Sequence, residues 1–186
     1  MATTVTRHRF TADTYDQMIR AGILKPDDRV ELIEGEIVQM SPIGERHAAC
    51  VKRLNRLCTR ILGDRAIVAV QDPIRLSDDS EPQPDLAILK PRDDFYASGH
   101  PRAADILLVI EVADTTQTFD RDTKLPLYAR AGIAEAWLVD LEKGRVELYR
   151  KPGRKGYSSV HTASRRDRIA PSAFAGIEIS VDQLLA

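Results

Sequence analysis

The sequence predicts a mixed α/β domain: a central mixed β-sheet flanked by helices, with an N-terminal helix and β-hairpin. Three observations carry this. Leu86–Leu89 and residues 106–112 are nearly pure apolar runs, as in strands covered on both faces. Over residues 46–62, Cys50, Val51, Leu54, Leu57, Cys58 and Ile61 recur at three and four while Lys52, Arg53, Asn55, Arg56 and Arg60 fill the other face, an amphipathic helix. Helical and strand-like segments alternate before a final antiparallel pair, which sets the helices on one sheet. With 186 residues, 43% of them hydrophobic, and no internal repeat, a single domain over 1–186 is expected.

The elements follow in order. A first helix over residues 12–21 takes Thr11 or Asp13 as its cap and ends at Gly22. Residues 29–40 form two short apolar runs around Glu34-Gly35, a hairpin in which glycine supplies the positive φ of the turn. His47 stands four before Val51 and seven before Leu54, so it extends the buried stripe of the long helix to its N-terminal end. Strands are expected at 66–70, 74–76, 86–89 and 106–112, then a helix at 121–131 stopped by Gly132, and a strand at 136–139. Pro126 fits that helix if it begins near Thr123, where the first turn needs no intrahelical N–H. Residues 145–149 and 157–161 read as an antiparallel addition, with Pro152, Gly153 and Gly156 between them.

Composition narrows the function. Twenty-seven Lys and Arg against 28 Asp and Glu exclude a generally basic surface. No apolar run is long enough to cross a bilayer, and residues 1–7 lack the apolar stretch of a signal peptide, so a cytoplasmic location is expected. Cys50 and Cys58, two turns apart on one helix, cannot bridge, and the four histidines are scattered singly rather than at zinc-like spacing. Both thiols read as small core residues.

Two carboxylates stand where carboxylates are expensive. Asp85 opens the run Leu86–Leu89, and Glu111 closes the run from Ile106. Even an uncharged polar group buried without a partner costs roughly 2–7 kcal/mol. The two acids share one sheet edge if their strands are antiparallel neighbours, and the loop from Lys90 to Asp105 is long enough to allow it. The helix after Glu111 brings Lys124 to the same edge, because helical side chains lean toward the N-terminus. Two acids and a lysine there suit metal-assisted hydrolysis of a phosphodiester. Oxygen ligands favour Mg²⁺ or Mn²⁺, and the lysine orients or deprotonates the water or neutralises the phosphate.

These residues carry a resemblance. Pro84-Asp85 and Glu111-Val112-Ala113, with the expected lysine displaced to Lys124, resemble the PD-(D/E)XK nuclease superfamily in its migrated-lysine form. The series Glu31-Leu32-Ile33-Glu34-Gly35-Glu36-Ile37, His47, Ser80 through Asp85, Val109 through Asp114, Asp120-Arg121 with Lys124 and Tyr128-Ala129, and Gly132 through Trp137 to Asp140 resembles the Uma-type family, a bacterial group described as putative restriction endonucleases. It runs from about residue 10 to 185. The resemblance implies a restriction-endonuclease-like core, Asp85 and Glu111 as metal ligands, the main-chain carbonyl of Val112 as a further ligand, and Lys124 as the catalytic lysine. Ala113 occupies the usual lysine position, so activity depends on Lys124 reaching the site. Thr116 stands where many relatives have serine, and Ala136 replaces a larger apolar residue beside Trp137.

Glu31 and His47 are placed as auxiliary residues around the site, with the helix N-terminus favouring a neutral His47. Tyr128 and Trp137 read as core. Arg150, Lys151, Arg154 and Lys155, with Arg165, Arg166 and Arg168, are candidates for a phosphate-binding rim. The expected activity is Mg²⁺- or Mn²⁺-dependent endonuclease action on nucleic acid, DNA first, with a homodimer as the arrangement suited to cutting two strands. The alternative is a catalytically silent nuclease-fold protein that acts as a nucleic-acid-binding or interaction module. In the metal-free protein Asp85 and Glu111 repel, so Asp85→Asn is expected to leave stability equal or higher.

Overall fold

The computed structural model describes residues 6–114 and 117–185. Helix α1 (Ala12–Arg20) is capped by Thr11, whose hydroxyl accepts from the N–H of Thr14 at 3.1 Å. Strands β1 (Val30–Ile33) and β2 (Glu36–Gln39) then form a hairpin. Its two turn residues, Glu34 and Gly35, both have positive φ, 49° and 78°, the pair that a two-residue turn between twisted strands requires. A Cβ on Gly35 would lie 2.7 Å from the Cβ of Arg9, so the N-terminal segment excludes any side chain there.

Helix α2 (Glu45–Leu62) follows, its apolar face buried through Cys50, Val51, Leu54, Leu57 and Cys58. Both cysteines are free and buried. The main sheet then forms from β3 (Ile67–Val70), β4 (Leu86–Leu89), β5 (Ile106–Ala113), β6 (Glu135–Asp140), β7 (Arg145–Gly153) and β8 (Gly156–Ser164), side by side in that order. All neighbours are antiparallel except β5 and β6, which are parallel and joined by a helical crossover. The sheet is therefore mixed, as the sequence predicts.

One face of the sheet buries Leu86, Ile88, Leu108, Ile110, Trp137 and Val139 under α2 and the C-terminal segment. The other buries Ala87, Leu89, Val109 and Leu138 under the crossover helix and the loops carrying Ile74, Tyr96 and Ile133. Burial on both faces explains the unbroken apolar runs of β4 and β5.

The structure departs from the sequence reading in three places. Residues 74–76 are not a strand. Arg75 makes one isolated bridge to Arg102, and Ile74 is held by its N–H on Pro82 O at 3.0 Å with its side chain in the core. One buried isoleucine in a looped excursion supplies the apolar signal without a ladder. The crossover helix starts earlier than expected, as α3 (Gln117–Phe119), a π turn (Asp120–Lys124) and α4 (Leu125–Arg130). Pro126 is thus mid-segment, not in a first turn at Thr123. The wide turn accommodates it: the N–H of Leu125 reaches back five residues to Asp120 O, so the stretch meeting proline does not keep the four-residue ladder that its ring would break. The C-terminal segment adds β9 (Arg168–Ile169), β10 (Ile179–Ser180) and α5 (Val181–Leu185), which the sequence pattern does not reveal. Thr116 lies outside the described residues.

Candidate active site

Five elements converge at one end of the sheet. The antiparallel register of β4 and β5 sets Leu86 opposite Ile110, so Asp85, just before β4, meets Glu111, late in β5. The backbone N–H of Asp85 donates to Glu111 Oε2 at 3.3 Å, and that of Val112 to Asp85 Oδ2 at 2.9 Å. The hairpin brings Glu31, the π turn brings Lys124, and the first turn of α2 brings His47. Lys124 Nζ lies 3.2 Å from Glu31 Oε2, 3.3 Å from Glu111 Oε1 and 3.3 Å from Gln83 O. Ala113 therefore does not leave the site without a lysine. Glu31 Oε2 also accepts the N–H of Gln83 at 3.0 Å, and His47 Nε2 is 3.0 Å from Asp85 Oδ2.

These groups line a cavity of about 410 Å³. Glu31, Asp85, Glu111 and Asp120 are buried acids, against Lys124 as a buried cation and the half-buried His47. Burial, with Asp120 and Asp85 nearby, pushes Glu111 from its ordinary 4.5 up to about 8, against the pull of Lys124 and the Tyr128 hydrogen bond. Burial alone would lower Lys124, yet Glu111 and Glu31 hold its ammonium well above the ordinary lysine value. The hydrogen bond to Asp85 raises His47 above 6.5, with burial opposing. The helix N-terminus, which favours a neutral His47, is thus opposed by a contact that helix position alone does not show. His47 Nδ1 is buried with no hydrogen-bond partner among the described residues.

Three participants escaped the sequence reading. Tyr128, read as core, is fully buried, but its hydroxyl donates to Glu111 Oε1 at 2.5 Å. Its spacing of four from Lys124 put it on the same helical face, and a buried phenol needs a partner, so the signal was present. Gln71 donates its amide to Asp85 Oδ1 at 3.2 Å, and Gln83 carries the carbonyl and N–H that meet Lys124 and Glu31. Trp137 is core, its indole N–H on Glu135 at 2.8 Å.

The basic cluster of the β7–β8 tip does not rim the site as expected, whereas Arg165, Arg166 and Arg168 follow the end of β8 that is level with Arg145, on the site's side of the sheet. Glu111 is level with Leu138, Leu138 with Glu147, and Glu135 with Arg150, so the β7–β8 tip carrying Lys151, Arg154 and Lys155 extends from the opposite end of the sheet. Arg150 is held by Glu135 at 2.7 Å, Arg165 by Asp182 at 3.2 Å and Arg168 by Glu178 at 2.7 Å.

The sequence profile of the Uma2 family, described as putative restriction endonuclease, matches residues 12–182. The chain belongs to the Uma2 family. No curated protein matches the chain closely enough to count as a relative. A crystal structure described as a putative nuclease belonging to DUF820, from Anabaena variabilis, is similar with a TM-score of 0.74. At 18% sequence identity, the likeness covers 95% of this chain and 97% of that one. It establishes that the six-stranded mixed sheet with flanking helices is the fold of that protein, which the resemblance of Uma2 sequences to restriction endonucleases implied. The Uma2 match spans the hairpin, α2, the sheet and the crossover helix, so every site residue named above lies within it.

Proposed function

We propose that this chain is a metal-dependent nuclease that hydrolyses phosphodiester bonds, in DNA first. The observation supporting it most is the convergence of Asp85, Glu111 and Lys124, from β4, β5 and the π turn, in one cavity with more buried acid than base.

The donor set fits Mg²⁺ or Mn²⁺. Among the described residues no group of three or more His, Cys, Asp or Glu side chains is placed to hold a metal ion by itself. Mg²⁺ does not ask for one: it is held by one or two carboxylates, with waters and substrate phosphate completing the shell. Asp85 and Glu111 would hold the ion, with the Val112 carbonyl as a third oxygen, and the excess buried negative charge is what a cation relieves. When bound, such an ion polarises the phosphoryl oxygen and acidifies a water. Lys124, an ammonium with three donors, orients the attacking water and neutralises charge gathering on the phosphate. Glu31 fixes Lys124 from the hairpin side, and His47 fixes Asp85.

The rival, a silent binding module on the same fold, draws on the balanced charge of the chain, and the reach of Lys124 to Glu111 supports the catalytic reading beside it. No described helix is long and apolar enough to cross a membrane. A cytoplasmic location and a homodimer acting on two strands complete the proposal.

Titration of Mn²⁺ into the wild type and the Asp85→Asn, Glu111→Gln double variant by calorimetry tests the ligands. Binding in the first and none in the second is expected. With metal bound, Lys124→Ala is expected to abolish cleavage of plasmid and oligonucleotide substrates while retaining Mn²⁺. Salt-dependent DNA binding without cleavage, indifferent to Asp85→Asn, would instead establish the silent module.

A further inference from the structure

A second cavity, of about 510 Å³, adjoins the first, and the two share Arg29, Met40, Ile43, Gln71 and Gln83 as walls. Its character differs from the acidic site. Beyond the shared wall it is lined by Tyr15, Ile19, Leu24 and Val30, with the charged Lys25 and Asp27. Ile19 and Ile43, which both line it, are 44% and 41% exposed, large apolar side chains facing water. Arg29, on the shared wall, is half-buried, and its guanidinium has no carboxylate or carbonyl partner among the described residues.

We propose that this cavity takes the base of an unstacked nucleotide next to the scissile phosphate, with Arg29 on the phosphate between the two cavities. The inference rests on the nuclease reading of the adjoining site and names its substrate class: nucleic acid with an unpaired or extruded nucleotide at the cut. A phosphodiester held over Asp85 and Glu111 leaves its neighbouring nucleotide at the shared wall. A paired base has both faces covered by its stack and gains nothing from an apolar depression. A base out of the stack buries its faces between Ile19 and Ile43, as flipped bases do between apolar side chains, and presents its edge to the amides of Gln71 and Gln83. Arg29 adds a second positive charge for an incoming phosphate at the shared wall, beside a cavity whose Lys124 is already held by Glu31 and Glu111.

The test is binding, read by fluorescence anisotropy with Ca²⁺ in place of Mg²⁺. The probes are three labelled 20-base-pair DNA duplexes: fully paired, with a one-nucleotide bulge, and with the same bulge made abasic. The bulged duplex is expected to bind about tenfold or more tightly than the paired one, and the abasic bulge to lose most of that gain, because base stacking carries it. Ile19→Gln with Ile43→Gln, both at exposed positions, should erase the preference for the bulged over the paired duplex. Arg29→Asn keeps a residue that tolerates the positive φ of 43° and removes the cation. It should weaken all three probes and lower the log–log salt slope by about one. Equal affinity for bulged and paired duplexes, an abasic bulge that binds as tightly as the intact one, or an isoleucine double variant that keeps the preference overturns the base subsite and leaves the nuclease reading standing. Arg29→Asn with an unchanged slope overturns the phosphate contact. Binding of none of the probes overturns both readings.

Discussion

Tyr128 donates its hydroxyl to Glu111 Oε1 at 2.5 Å, one helical turn beyond the lysine that holds the same oxygen. Glu111 thereby accepts from a phenol, an ammonium and a backbone N–H, which fix both oxygens of a fully buried carboxylate. Tyr128→Phe keeps the ring and removes one donor. A neutral hydrogen bond is worth about 0.5–1.5 kcal/mol and one to a charged group about 1.5–3 kcal/mol, so a lower melting temperature is expected, more so at pH 9 than at pH 6, together with weaker Mn²⁺ binding and a cleavage rate reduced roughly tenfold. Calorimetry and a cleavage time course check this. Unchanged Mn²⁺ affinity and rate, with only a lower melting temperature, would reduce Tyr128 to packing.

Metal-free stability should fall as pH rises above 6. The folded pKa of Glu111 lies near 8 against 4.5 for the exposed group, so the folded protein keeps a proton that the unfolded chain has released. That contribution is whole below pH 4.5 and is lost as pH rises through 8. His47 adds the same sign, since its folded pKa is also raised, above 6.5. Glu147 has the opposite sign: burial raises it, but Tyr149 and Arg121 hold it below its ordinary value, so its contribution disappears at acid pH, beneath this window. Urea unfolding in EDTA at pH 6, 7, 8 and 9 should show decreasing stability, and Glu111→Gln should flatten the trend. Stability that climbs from pH 6 to 9 contradicts the charge balance described.

The same site shows what a sequence reveals and what it withholds. Asp85 and Glu111 were legible because each interrupts a strand covered on both faces, where an acid has no ordinary reason to stand. Lys124 was legible as a neighbour through the tilt of helical side chains, but its ion pair with Glu31 was not. Alternation in a short hairpin does not say which residues another segment covers, and here the N–H of Gln83 and the ammonium of Lys124 meet Glu31. Tyr128 was absorbed into the apolar stripe because an aromatic at helical spacing looks the same whether or not its hydroxyl has work. Nothing in residues 120–124 distinguishes a five-residue turn from a four-residue one, apart from Pro126 two residues later. The two-residue strands β9 and β10 are shorter than any period that could announce them.

Asp85→Asn illustrates how contacts change an expectation drawn from charge alone. Repulsion between Asp85 and Glu111 would make the exchange harmless or stabilising in the metal-free protein. The structure gives Asp85 three donors, from His47, Gln71 and the Val112 N–H, so an asparagine must turn its amide hydrogens toward one of them. Opposed donors leave a buried group unsatisfied, at about 1–3 kcal/mol. Removed repulsion offsets part of this, and the expected result is a melting temperature a few degrees lower in EDTA. His47→Ala combined with Asp85→Asn, removing the opposing donor, should recover some of the loss. An Asp85→Asn protein as stable as wild type would mean that repulsion outweighs all three hydrogen bonds.

Glu135 provides the contrasting case of a buried acid that belongs to the scaffold. It is 1% exposed, and its oxygens accept from the indole of Trp137 at 2.8 Å, from Arg150 at 2.7 Å and from the N–H of Ser172 at 2.6 Å. Arg150 also donates to Ala170 O at 2.6 Å, so the pair fastens the C-terminal segment to β6 and β7. That segment carries Phe174, Ile177, Val181 and Leu184 into the core beneath α2. Glu135→Ala leaves a buried indole N–H and a half-buried guanidinium unpaired and loosens this cover, and breaking a buried ion pair typically costs about 3–5 kcal/mol. Urea unfolding should show a loss of that order. Because Glu135 lies level with Arg150, toward the sheet end opposite Asp85 and Glu111, Mn²⁺ affinity measured well below the melting transition should stay at the wild-type value. A stability loss without a binding loss separates this carboxylate from the two that hold the metal in the proposed mechanism, and a matching fall in Mn²⁺ affinity would show that the two ends of the sheet are coupled.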